Sequence, residues 1–103
     1  MNILFTYSYC DAANQKTDGE IIFSNPENLT LDFIEYKLRS SLTSGVYFHH
    51  NHFMVQPLYG QYPDFDKNPA VHEFDDVKLT TEDATDKRNI GDFIGNIKWR
   101  RYL

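Results

Sequence analysis

Cysteine is nearly absent: Cys10 is the only one in 103 residues. No internal disulfide can form, so the fold must rest on its core, and a reducing compartment suits it. Long hydrophobic runs are missing as well. No apolar stretch approaches the roughly 18–20 residues that a membrane-spanning helix needs. The opening "MNILFTYSYCDAANQK" has no basic segment ahead of an apolar one, so no secretory leader is expected, and the sequon Asn28-Leu29-Thr30 carries no expectation of glycosylation. Positive charge is the minority sign, with 10 Lys and Arg against 15 Asp and Glu and a formal net charge of −5. That balance argues against a general nucleic-acid binder or a module for anionic membranes. A cytoplasmic protein is expected. Signatures of common chemistry are lacking too: there is no G-x-S-x-G, no glycine-rich phosphate loop, no H-E-x-x-H and no cysteine-centred triad.

What the chain does have is aromatic residues: eight Phe, seven Tyr and one Trp, or 16%. A disordered chain is depleted in these, so this one should fold, and its length allows one domain, 1–103, with one modest core. Ile3, Phe5, Tyr7 and Tyr9 alternate with polar neighbours and predict a half-buried first strand. "DAANQKTDG" reads as a loop in which the Asp11 side chain serves a turn, and "EIIFSN" as the returning strand. Thr30 is placed to cap a helix whose stripe is Leu31, Ile34, Leu38 and Leu42, with Gly45 suited to a left-handed turn beyond its end. "VYFHHNHFMV" predicts a third strand, followed by a long loop over 56–70 rich in proline and aromatics. "VHEFDDVKLT" predicts a fourth strand, bent or bulged at Asp75-Asp76 where the alternation breaks. Asn89 is a second cap, and Ile90, Phe93, Ile94 and Ile97 form the stripe of a last helix. The order is ββαββα: an α+β domain with a three- or four-stranded, mostly antiparallel sheet and both helices on one face.

His49, His50 and His52 crowd into four positions. On a strand, parity puts His50 and His52 on one face and His49 on the other. Two imidazoles on one face can share a divalent ion such as zinc, with His72 and Glu73 as the candidates to complete the set. A bound zinc would activate water, which defines a metal-dependent hydrolase or nuclease as one reading. The plainer reading is a partly exposed strand whose polar face happens to be imidazole, with no cofactor. A third reading is a nucleotide-binding sponge that stacks a base near His49 or Trp99.

Other residues look suited to contact. Phe33 and Tyr36 project from the first helix opposite its apolar stripe and are neighbours at i, i+3. Tyr59, Tyr62 and Phe65 repeat the theme in the long loop, and Trp99 lies in the basic end "KWRRYL". Charge is segregated. From 64 to 86 eight acids oppose two lysines, a net of −6, and from 87 onward five basic residues oppose Asp92, a net of +4. An acidic region of that kind can steer a basic partner toward it.

The stretches "FTYSYCDAANQKTDGEIIFSNPENL", "GVYFHH" and "VHEFDDV" resemble a group of small uncharacterised bacterial proteins. There an aromatic-alternating first strand leads to Asp-x-x-Asn-x-Lys, matched by Asp11, Asn14 and Lys16. This chain departs from that pattern at Asp18, where an aromatic usually precedes the glycine. The resemblance implies a bacterial or phage origin and a single α+β domain, and it brings no activity, cofactor or catalytic residue. The expectation is therefore a non-enzymatic interaction module that binds a protein partner, or a second copy of itself, with a defence or anti-defence context in view. Its contact residues would be Phe33, Tyr36, Tyr59, Tyr62, Phe65 and Trp99. Direct nucleic-acid binding and membrane association are not expected.

Overall fold

The computed structural model describes residues 1–60 and 64–100, with the backbone alone for 98–100. Its elements run β1 (Asn2–Cys10), β2 (Lys16–Phe23), α1 (Leu31–Ser41), β3 (Tyr47–Phe48), α2 (His50–Phe53), β4 (His72–Thr80) and α3 (Ile90–Arg100). The four strands form one antiparallel sheet in the order β2-β1-β4-β3. The expected α+β class and element order hold, with one added short helix inside what reads as the third strand.

β1 is the central strand because its alternation gives it a face to bury. Ile3, Phe5, Tyr7 and Tyr9 are all buried and point to the side that carries the helices. Phe5 stacks on Phe74 at 5.6 Å and meets Phe93 edge-on at 5.2 Å, so one aromatic ring joins β1, β4 and α3. β2 begins at Lys16, earlier than "EIIFSN" suggests, because the β1 ladder continues to Cys10↔Lys16. The connecting loop is held by Asp11, whose carboxylate accepts the Gln15 N–H at 2.9 Å, with Asn14 in the left-handed region at φ 65°.

β4 pairs with β1 in one register from Thr80 to Asp76 and in another from Phe74, with the shift lying between Thr6 and Tyr7. Asp75 is the extra residue, as the broken alternation at Asp75-Asp76 predicts. The bulge restores Val77, Phe74 and His72 to the core face. Asp75 turns outward instead and accepts the Ser8 hydroxyl at 3.2 Å.

Both long helices start as their caps dictate. Thr30 accepts the Phe33 N–H at 3.2 Å, and Asn89 accepts the Asp92 N–H at 2.8 Å. Ile34 and Leu38 of α1 and Ile90, Phe93 and Ile97 of α3 are buried against the sheet, with Leu31 and Ile94 packed at the margin. Gly45 takes φ 71° beyond the end of α1, in the turn that leads to β3.

Arg88 fastens the second layer together. Its guanidinium donates to both Asp86 carboxylate oxygens at 2.9 Å and to the carbonyls of Phe53 and Met54 at 3.0 Å. It also lies 5.1 Å over the Phe93 ring and 5.6 Å over that of Phe23. The end of α2 is thereby bound to the start of α3. Among the described residues no helix is long and apolar enough to cross a membrane.

Candidate functional site

The expected strand over 46–55 is corrected. β3 pairs only at Tyr47↔Glu73 and Phe48↔His72, and His72 is the first residue of β4. Past Phe48, no strand among the described residues is left to accept a ladder. Backbone groups that cannot pair across must pair locally. The chain turns into α2, with His52 N–H on the His49 carbonyl at 3.0 Å and Val55 N–H on that of His50 at 3.1 Å. Met54 ends the turn at φ 53°. Phe53 then folds back to stack on Phe48 at 4.4 Å.

This turn redistributes the histidines. His49 and His52, three apart on one helical turn, become neighbours with ring centroids 5.3 Å apart, and both are exposed. His50 points the other way and faces His72 at 5.8 Å. The pairing of His50 with His52, derived from strand parity, does not occur.

His72 is fully buried in a cage of rings: Tyr9 at 5.2 Å, Tyr59 at 5.4 Å, Phe48 at 5.8 Å and Tyr7 at 6.1 Å. Its Nε2 lies 2.9 Å from the Leu58 backbone nitrogen. That amide can only donate, so Nε2 must offer its lone pair and Nδ1 must carry the proton. Nδ1 has no partner. His72 therefore has no free lone pair for a metal. Burial, reinforced by His50 and His49 nearby, lowers its pKa to about 4. Glu73 lies on the opposite sheet face from His72, opposite Tyr47 and Ser8. Of the expected set His50 and His72 meet, while His52 pairs with His49 and Glu73 lies on the other sheet face. Among the described residues no three His, Cys, Asp or Glu are placed to hold one ion.

The aromatics divide in the same manner. Tyr59 is half-buried and closes the His72 cage, meeting Tyr9 at 5.5 Å and Phe65 at 5.1 Å. The ends of the long loop are tied to β1, since the Tyr7 hydroxyl donates to the Gln56 carbonyl at 2.8 Å and that of Tyr9 to Pro69 at 2.7 Å. Tyr59 is consequently spent on packing, although Phe65 outside it stays exposed. Tyr62 and the Trp99 side chain lie outside the described residues. Phe33 and Tyr36 are 42% and 68% exposed. They flank a groove of about 430 Å³ between α1 and α3, which Leu29 and Ile94 also line. Gly91 and Gly95 leave the α3 side of this groove low, and Lys37 sits 5.7 Å over the Phe33 ring.

The outer sheet face is acidic. Asp18, Glu20, Glu73, Asp75 and Asp76 share it with Lys16 and Lys78, which pair loosely with Asp18 at 3.9 Å and Asp76 at 4.0 Å. The charge count along the chain points to the 64–86 region. It misses Asp18 and Glu20, which the β1–β2 pairing delivers to the same face. Comparison with protein-family models, with curated proteins and with solved structures returned no match.

Proposed function

We propose that this protein is a small binding module that engages a protein partner through the face formed by α1 and α3. The exposed pair Phe33 and Tyr36, set on a groove that Leu29 and Ile94 line together with Glu27 and Lys37, carries the reading. Aromatic side chains at the rim of a preformed groove give up little conformational entropy on contact and supply large apolar area. The acidic outer sheet face lies across the sheet from α1 and α3, so a basic partner seated on the helices would feel it only at long range, in the rate of encounter. An acidic module occupying a nucleic-acid-binding groove of its target would suit a role in bacterial or phage defence or its inhibition; the resemblance itself implies only a bacterial or phage origin.

The test is capture from a bacterial host followed by affinity measurement on the retained protein. Phe33→Ala and Tyr36→Ala should each weaken binding by about 2 kcal/mol, roughly thirtyfold, with melting unchanged. A partner bound equally well by the Phe33→Ala/Tyr36→Ala double variant would move the interface elsewhere. Recovery of the chain alone under conditions that keep complexes intact would remove the reading.

A further inference from the structure

We propose that His49 and His52 form an open site for a borderline divalent transition ion of the Zn²⁺, Ni²⁺ and Cu²⁺ class. The inference does not depend on the partner-binding reading, since it rests on other side chains, although the two clefts adjoin at Ser41.

The helical turn of α2 sets the two rings side by side, 5.3 Å between centroids and 63° between planes. An imidazole bound through one nitrogen at about 2.0–2.1 Å holds its centroid roughly 3.2 Å from the ion. Two centroids at the observed 5.3 Å then subtend about 110° at a shared ion, the angle of tetrahedral coordination. The separation thus suits a shared ion, with side-chain rotation needed to turn a nitrogen of each ring toward it.

Neither imidazole has a competing hydrogen-bond partner among the described residues. His49 caps α2 through its backbone without using its side chain. Of the other two histidines, His72 has no lone pair to give, and His50, with Nδ1 donating to the Val55 carbonyl at 3.0 Å, keeps its Nε2 lone pair but turns its ring inward toward His72. The four histidines thus separate by orientation into an inward pair, His50 with His72, and an exposed outward pair, His49 with His52.

The outward pair lines a cleft of about 300 Å³ whose other walls include Ser41, Thr43, Tyr47 and Ile97. The cleft gives the remaining coordination positions room for water or for a donor from another molecule. Two nitrogen ligands with no carboxylate select imidazole-preferring ions over Mg²⁺ and Ca²⁺, which require oxygen. Closed structural zinc sites use four protein ligands, so two leave an exchangeable ion.

The experiment is calorimetric titration of the tag-free chain with ZnCl₂ and with CuCl₂, alongside His49→Ala, His52→Ala and copper-induced broadening of the histidine NMR signals. One ion per chain is expected, in the micromolar range and tighter for copper than for zinc. Each substitution should weaken it at least about tenfold with an unchanged melting curve, as both rings are exposed. The His49 and His52 signals should broaden first. Saturation only at millimolar ion, wild-type affinity in either variant, or broadening centred on His50 would overturn the proposal.

Discussion

Between pH 7.5 and 4, His72 should make its own acid-dependent contribution to unfolding. His72 is neutral in the fold with its pKa lowered to about 4, whereas an unfolded chain leaves it near the ordinary 6.5. Below about pH 6.5 the unfolded state takes up a proton that the folded state refuses. Stability from this group is therefore whole above that pH and is lost as the pH falls toward 4. A difference of roughly 2.5 pH units corresponds to about 3 kcal/mol, a large part of a small domain's reserve. Protonation also removes the lone pair that accepts the Leu58 N–H, so the strand of loop over Gly19 loses its anchor at the same time. His72→Gln supplies a control, because its side-chain oxygen can still accept that N–H and cannot titrate in this range. Urea unfolding of both proteins from pH 7.5 to 4 gives two curves, and their difference cancels the carboxylates and the other histidines. That difference should shrink by about 3 kcal/mol across the interval in favour of the Gln variant. Parallel curves, or an NMR titration placing His72 near the ordinary histidine value, would refute the reasoning.

Two further outcomes follow from packing. Arg88→Met should cost about 2–4 kcal/mol by denaturant unfolding at neutral pH, since it strands Asp86 and the Phe53 carbonyl, and Arg88→Lys should recover only part; a loss of under about 0.5 kcal/mol would show that the second layer does not need the clamp. Gly19→Ala places a methyl 2.9 Å from Leu58 Cδ2 and 3.0 Å from the Tyr7 ring, so it should lower stability by about 1 kcal/mol or more despite alanine's lower entropy cost, and a thermal melt at or above wild type would contradict that packing.

The residues differ in how far sequence alone places them. The alternation of Ile3, Phe5, Tyr7 and Tyr9, the caps at Thr30 and Asn89, and the stripe of Ile34 and Leu38 are local patterns whose period selects the element, and each element forms where the pattern lies. Even the bulge at Asp75 is legible, because an acid out of phase in an apolar strand has to leave the core face. The exposed pair Phe33 and Tyr36 follows from the same helical period. The histidine segment is different. "VYFHHNHFMV" has strand-like composition, and it becomes a helical turn only because β4 starts at His72 and offers nothing beyond Phe48 to pair with. Pairing is a property of two segments far apart in sequence, so no reading of 46–55 alone could supply it. From that one fact come the separation of His50 from His52, the meeting of His49 with His52, and the enclosure of His72 against an amide that fixes its proton. Sequence determined the layers of this protein, and contact between distant strands decided what its histidines can do.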